Sequence, residues 1–211
     1  MIRVQKDKNM EFWCFNRARD ASLIKAEEMV WQGPFSWPCF EQTNKLAFLP
    51  DIEGVYLQTF EYKDGFILCS AGVTTSTRRR FSQHTRAFKK GEYTILDTEA
   101  AKRGERKEIW HGWGYARTHQ EEFLQHKEFL LSAVEKHFCA YRLFVAEVAD
   151  RRKRERIESA IMLSIYNSKE LWNDMADTGM ALRQRYNSEM PIEIKNRCAY
   201  KIYGLAEVLE V

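Results

Sequence analysis

Residues 54–72 read GVYLQTFEYKDGFILCSAG, and this stretch decides the fold. Val55, Leu57 and Thr59 lead into a turn at 63–65 (Lys-Asp-Gly), and the apolar run 66–69 returns from it. Strand-forming residues on both sides of a glycine-containing turn are typical of a β-hairpin. We therefore expect two antiparallel strands here.

Helical and extended segments alternate downstream of this hairpin. Ser76 or Thr77 is a suitable N-cap residue for a helix that continues to about Lys90, where Gly91 ends it. Residue patterns predict a short strand over 92–96, a helix over 118–137, a strand over 141–149, a helix over 151–166 and a strand over 199–205. Residues 1–48 are expected to be helical or irregular. The order hairpin, helix, strand, helix, strand, helix predicts a mixed α+β domain.

The composition is that of a globular protein without a membrane span or an export signal. The longest apolar runs, such as 160–163, are far shorter than a bilayer requires, and the N-terminus is charged where a signal peptide is apolar. The five cysteines lie far apart and form no Cys-x-x-Cys pair, which argues against a disulfide framework or a zinc site. We therefore expect a cytoplasmic protein with reduced thiols.

Basic residues are concentrated in one predicted helix. The net charge of the chain is only +3, but residues 77–90 contain six Lys or Arg side chains and no acid. A second basic run, Arg-Arg-Lys-Arg, occupies 151–154. Such clusters either follow a phosphate backbone or form the solvated face of a helix, and charge alone does not decide between the two.

The most unusual short stretch is 110–114, Trp-His-Gly-Trp-Gly. Aromatic residues next to glycines either pack in a core or insert between the bases of DNA, as they do in some DNA-distorting enzymes. The sequence leaves both interpretations open, with core packing favoured.

Four short motifs follow one another along the chain. The first two are 54–56 (Gly-Val-Tyr) on the first predicted strand, and the pair Arg80 and His84, four residues apart on the next helix. The other two are 156–161 (Arg-Ile-Glu-Ser-Ala-Ile) and 171–173 (Leu-Trp-Asn). Their order resembles that of the GIY-YIG nuclease superfamily, and the histidine and the Leu-Trp-Asn segment are most similar to the type II restriction endonucleases of that superfamily.

The resemblance implies a fold and a domain organisation. The expected core is α+β, a small mixed or antiparallel three-stranded sheet flanked by helices, with N- and C-terminal additions. We expect an N-terminal arm at 1–50, a nuclease core at 51–178 with an insert around 97–117, and a C-terminal extension at 179–211.

The resemblance also implies a role for each site residue in DNA hydrolysis. Glu158 would bind Mg²⁺ or another divalent cation such as Mn²⁺, and Mg²⁺ takes few protein ligands. Arg80 would hold a phosphate through its planar guanidinium. Tyr56 would be the general base or its relay, with His84 as its hydrogen-bond partner or as the base itself. Asn173 would contribute to the site or join the sheet to the helix.

One position departs from the family pattern. Ser70 stands where the family has its second tyrosine, although Gly72 keeps the glycine of that motif. Ser70 could orient a water but is not a base by itself, and Tyr62, Lys63 or a residue from the insert could replace the lost phenol. A free phenol has a pKa of about 10, so we expect nearby cations to lower the pKa of Tyr56, and we expect its hydroxyl at the surface of the site.

The implied function is a site-specific, restriction-type endonuclease whose partner is double-stranded DNA. The residues expected to contact that DNA are Arg78, Arg79, Arg86, Lys89 and Lys90. A palindromic target implies a homodimer, or one protomer that visits each strand in turn. Two alternatives stay open: a weak or inactive DNA-binding module on the same scaffold, and a structure-selective repair or recombination nuclease.

Overall fold

A computed structural model describes residues 25–170, 172–178 and 180–211 of the chain. Within these ranges the central element is a curled mixed sheet of seven strands, and two further short strands pair with each other. The strands in chain order are β1 (Lys25–Ser36), β2 (Gly54–Tyr62), β3 (Gly65–Thr74), β4 (Ile95–Leu96), β5 (Glu108–Trp110), β6 (Tyr141–Glu147), β7 (Ile192–Cys198), β8 (Ile202–Tyr203) and β9 (Val208–Glu210). Across the large sheet the order is β8-β3-β2-β6-β1-β7-β9.

Helices cover both faces of this sheet. In chain order they are α1 (Glu41–Asn44), α2 (Thr77–Lys89), α3 (Thr98–Lys102), α4 (Trp113–Thr118), α5 (Gln120–Gln125), α6 (Lys127–Ala140), α7 (Arg151–Tyr166) and α8 (Trp172–Met175). One core packs Phe60 of the sheet against Phe81 of α2 and Phe138 of α6. A second core packs Leu57 against Ile161 of α7. Neighbouring strand residues therefore point into different cores, as a strand buried on both faces requires.

The predicted hairpin is confirmed. β2 and β3 pair antiparallel around a two-residue turn at 63–64, with a bulge that follows Gln58. Beyond the bulge, Ser70 lies opposite Gln58 and Gly72 lies opposite Tyr56. A Cβ atom at Gly72 would lie only 2.2 Å from the Tyr56 ring, so this position needs glycine. The hairpin thus packs the Tyr56 ring directly against the backbone of β3.

The prediction of a small three-stranded sheet is wrong. The expected strands β2, β3 and β6 do lie side by side, but β1, β7 and β9 extend the sheet beyond β6, and β8 extends it beyond β3. β1 occupies 25–36, where we expected a helical or irregular arm. Only Met29 and Trp31 of this strand alternate as fully buried apolar residues, and its polar beginning is held by ion pairs such as Glu27 to Lys153 at 2.8 Å. The alternation of apolar and polar residues that would indicate a strand is therefore short in β1.

Several other elements differ from the prediction in their boundaries. The helices expected over 77–90 and 151–166 are confirmed as α2 and α7, and the strand expected from residue 141 is confirmed as β6. The helix expected over 118–137 is divided into α5 and α6, the strand over 92–96 shrinks to β4, and the strand over 199–205 is replaced by β7 and β8. The domain boundaries stay predictions, and what we expected of residues 1–24 lies outside the described residues.

Candidate active site

Tyr56, His84 and Arg80 form a hydrogen-bonded cluster between β2 and α2. The Tyr56 hydroxyl lies 2.8 Å from Nε2 of His84, and Nε of Arg80 donates to the same hydroxyl at 3.1 Å. Arg80 and His84 are one turn apart on α2, so both side chains face the strand. Ser76 caps this helix by accepting the backbone N–H of Arg79 at 3.3 Å. The structure therefore brings three of the expected site residues together.

Tyr56 and His84 of this cluster are buried, which contradicts our expectation of a surface phenol. Tyr56 is 2% exposed and His84 is 6% exposed. Burial raises the pKa of the Tyr56 phenol to about 12, although the charge of Arg80 opposes the rise. Burial, together with the charge of Arg80, lowers the pKa of His84 to about 3. The expected lowering of the phenol pKa is therefore wrong, because desolvation outweighs the nearby cation.

Both rings are neutral near pH 7. The hydroxyl of Tyr56 accepts the N–H of Arg80 and can donate its own proton to Nε2 of His84. The imidazole then carries its proton on Nδ1, which is buried and has no hydrogen-bond partner among the described residues. A buried donor left unpaired costs about 1–3 kcal/mol. In this tautomer one hydrogen bond connects the phenol to the imidazole, and Nδ1–H remains as a donor for a bound water or ligand.

Glu158 of α7 lies near the C-terminal end of β3. Burial raises the pKa of its carboxyl to about 7, against the opposing charge of Arg80 and a hydrogen bond from the backbone N–H of Val73. No lysine or arginine of the described chain forms a salt bridge with it. Glu155, one turn earlier on the same helix, is paired with three arginines. Ionised Glu158 is therefore the less well compensated of the two carboxylates.

The donor set at Glu158 fits a magnesium or manganese ion. Among the described residues, no three His, Cys, Asp or Glu side chains lie close enough together to enclose a metal. Mg²⁺ does not need such an enclosure, because it keeps several waters and commonly binds one or two carboxylates together with substrate phosphates. Burial makes the ionised form of Glu158 unfavourable, and the charge of Arg80 offsets that effect only in part. A divalent cation with one protein carboxylate would supply that charge.

Arg80 borders two cavities. The inner cavity is small, about 60 Å³, and is lined by Arg80 together with Tyr56 and His84. The outer cavity, about 440 Å³, is lined by Arg80 together with Arg79 and Glu158. In the described chain neither of these two arginines has a carboxylate within 4 Å. Two unpaired guanidiniums beside an unpaired carboxylate can bind a phosphate and its counter-cation.

Ser70, which the resemblance to GIY-YIG nucleases aligns with a tyrosine, lines the inner cavity. Its hydroxyl contacts the sulfur of Met180 at 4.0 Å. Across the strand pair lies Gln58, whose Nε2 is buried and has no hydrogen-bond partner in the described residues. The serine therefore leaves space, and an unpaired donor beside it, where the family has a phenol.

A second phenol reaches the inner cavity from a segment outside the motifs. The ring centre of Tyr93 lies 5.6 Å from that of His84. Burial raises the pKa of this phenol. Gly91, with a φ of 72°, ends α2 and turns the chain back along the helix. The glycine after the helix was visible in the sequence, but the packing of Tyr93 against His84 depends on tertiary contacts. Tyr62 and Lys63 do not line the cavity.

Asn173 lines neither cavity in the described chain, whereas Asp177 lines the inner one. Asn173 belongs to the short helix α8. The carboxylate of Asp177 lies 3.5 Å from Arg106, and burial raises its pKa although this arginine opposes the rise. The backbone N–H of Asp177 donates to the Cys69 carbonyl at 2.8 Å, which attaches the segment after α8 to β3. No periodic pattern in the sequence indicated this acid.

The two basic runs have different roles in the fold. The residues of the first run that we expected to contact DNA are all exposed, on α2 or at its C-cap: Arg78, Arg79, Arg86, Lys89 and Lys90. In the second run, ion pairs join Arg152 to Glu189, Lys153 to Glu27 and Arg154 to Glu53. The second run therefore mainly stabilises the fold, and the first is the better candidate for a phosphate-binding surface.

No protein-family model, curated protein or solved structure matches the chain. No helix in the described ranges has both the length and the apolar character needed to cross a membrane. The functional interpretation therefore rests on the motifs and on the geometry of the site.

Proposed function

We propose that this protein is a metal-dependent, restriction-type DNA endonuclease in which Arg80 joins a proton-transfer pair to a metal-binding carboxylate. The main support is the position of Arg80. Its guanidinium donates to the Tyr56 phenol at 3.1 Å and also lines the cavity that contains Glu158. A phosphate bound to Arg80 would lie between the group that accepts a proton from water and the group that holds the cation.

Each residue of the site has a separate proposed role in phosphodiester hydrolysis. Arg80 and Arg79 bind the phosphate oxygens and offset the charge that develops on them. Tyr56 takes a proton from the attacking water as it passes its own proton to Nε2 of His84. The phenol therefore does not need to ionise in the resting protein, and the phosphate charge favours the imidazolium. When bound at Glu158, the divalent cation supplies Lewis acidity for the departing 3′ oxygen.

The substrate we propose is double-stranded DNA, bound along the exposed basic side of α2. Electrostatic contacts of this kind are independent of sequence, so reading of a specific site would fall to segments outside the core. A palindromic site would be cut by a homodimer, or by one protomer that visits each strand in turn. Such an enzyme would act in the cytoplasm.

Plasmid cleavage tests this proposal. Supercoiled plasmid is incubated with the wild-type protein and Mg²⁺ or Mn²⁺, and we expect cleavage that EDTA abolishes. Glu158→Gln should not cleave but should still bind DNA, because it loses a metal ligand and a negative charge near the phosphate. Glu155→Gln is the matched control from the same helix and cavity, and it should keep most of the activity. Equal losses in the two variants would contradict the assignment of Glu158.

A weak or inactive DNA-binding module is the second candidate. Ser70 in place of a phenol and a Tyr56 pKa of about 12 favour it, because both reduce the capacity to activate water. Retention of duplex DNA in a gel-shift experiment without any cleavage would support this candidate. Nicking confined to branched DNA would instead support a structure-selective repair or recombination nuclease.

A further inference from the structure

A larger groove opens beside the inner cavity and has no part in the mechanism above. Its volume is about 720 Å³, and it lies where the end of α2 meets α4 and α5. Tyr93 and Trp113 line both this groove and the inner cavity, and their ring centres are 5.1 Å apart. The groove is therefore next to the candidate active site.

Trp113 is the residue of the stretch 110–114 that lines the groove, and packing explains its neighbours better than it explains this tryptophan. Trp110 is buried, and its Nε1 donates to the Gly91 carbonyl at 2.6 Å. Gly112 is so close to the preceding segment that a Cβ atom would lie 2.4 Å from the backbone nitrogen of Thr94. Trp113 differs, because it is 42% exposed and its φ is 57°. A left-handed backbone is unfavourable for a bulky residue, so burial and local preference do not account for a tryptophan here.

Basic side chains also line the groove. Its cations are exposed, and in the described chain none has a carboxylate within 4 Å: Lys89, Lys90, Arg117 and Lys127. Among the described lining residues, Glu92 is the one acid. Unpaired cations beside an exposed aromatic ring are typical of sites for unpaired nucleotides, because the cations neutralise the phosphates while the ring stacks on a base.

We propose that this groove receives an unpaired nucleotide of the DNA substrate, with its base stacked on Trp113 and its phosphates beside the four cations. The location next to the scissile phosphate rests on the proposed function. Bases within a duplex expose only their edges to a protein, so the nucleotide must be extruded from the helix or lie in a single-stranded segment. The enzyme would therefore distort or unpair its target locally when it binds.

DNA binding in EDTA tests the groove without any need for cleavage. The probes are two labelled duplexes of the same sequence, one fully paired and one with a single extrahelical 2-aminopurine nucleotide. The wild-type protein should prefer the second duplex and quench its 2-aminopurine fluorescence. Trp113→Gly accepts the left-handed backbone without strain, so it should fold normally, and it should weaken binding of the extrahelical duplex roughly 5- to 100-fold. Trp113→Phe keeps a ring and should restore most of the binding.

Two controls complete the experiment. Tyr200→Ala removes an exposed aromatic ring that packs on Phe66 and Phe144 in the other core, and it should bind like the wild type. Replacing Arg117 and Lys127 with alanine should reduce the slope of log affinity against log salt by roughly 1.4, at about 0.7 for each lost phosphate contact on a single strand.

Equal binding of the two duplexes by the wild-type protein, or an unchanged preference in Trp113→Gly, would overturn the assignment of the groove. These outcomes are separate from those of the plasmid assay. Cleavage without a Trp113-dependent preference for the extrahelical duplex would support the proposed function and contradict the assignment of the groove. A Trp113-dependent preference in a protein that never cleaves DNA would support the groove as a nucleotide site and contradict the proposed nuclease activity.

Discussion

Replacement of Glu158 by glutamine should affect stability and catalysis in opposite directions. The carboxyl has a pKa of about 7 in the folded chain, against an ordinary value of 4.5. Because the folded-state pKa is the higher one, folding favours the protonated form. That contribution is complete below pH 4.5 and is lost as the pH rises through 7. At about 1.4 kcal/mol per pH unit, the ionised carboxylate costs the fold about 3 kcal/mol at pH 8, less any screening by solvent.

Glutamine has the shape of the protonated carboxyl and does not ionise. Glu158→Gln should therefore be as stable as the wild type at pH 4.5 and more stable at pH 8, by up to about 3 kcal/mol. Urea unfolding at the two pH values, without divalent cations, measures this difference, and the other titrating groups cancel in the comparison. Mg²⁺ at pH 8 should stabilise the wild type and leave the variant unchanged.

The matched control should show the opposite sign. Glu155→Gln removes a carboxylate that pairs with three arginines, so this variant should be less stable than the wild type at pH 8. If Glu158→Gln is also the less stable protein at pH 8, the ionised Glu158 is already compensated within the fold. The argument that it needs a divalent cation would then be refuted.

Three further predictions concern the reaction itself. Arg80→Ala should lower the single-turnover cleavage rate roughly 100- to 1,000-fold, whereas Arg79→Ala should cost far less, and equal losses would contradict the role of Arg80. Tyr56→Phe should lower the same rate at least ~100-fold. Because the hydroxyl is hydrogen-bonded to both His84 and Arg80, this variant should also reduce the free energy of unfolding by about 1–3 kcal/mol. Near-normal cleavage would show that another group activates the water. The wild-type rate should rise with pH through about 7 as Glu158 ionises, with no imidazole limb near 6.5 because the pKa of His84 is about 3. More Mg²⁺ should move that rise to lower pH, since metal and proton compete for the carboxylate.

The elements that could be predicted from the sequence are those with strong local signals. The turn at 63–65 lies between two apolar runs, and the helices at 77–89 and 151–166 each begin after a capping residue, Ser76 and Asp150. β1 could not be predicted, because its first four residues include three charged ones and its pairing partners lie more than 100 residues away. Because β1 connects β6 to β7 in the sheet, the number of strands could not be predicted either.

In the candidate site, too, some residues could be predicted from local spacing and others only from tertiary packing. Arg80 and His84 share a helix face by spacing alone, and their contact with the hairpin follows from a short connection. Tyr93, Asp177 and Trp113 lie in irregular or short segments, so only tertiary packing shows that they line the cavities. The direction of the pKa shifts also needed the structure, because a sequence does not show how completely a phenol is desolvated.

The central claim is tested most directly by the ends of the DNA that the wild-type protein produces. Phage DNA is incubated with the protein and Mg²⁺ at pH 8, and the products are sequenced and end-labelled. The account predicts discrete fragments with 5′-phosphate and 3′-hydroxyl ends at a repeated sequence, because water attacks phosphorus and the 3′ oxygen departs. DNA that is bound but stays intact with Mg²⁺ and with Mn²⁺ would contradict it.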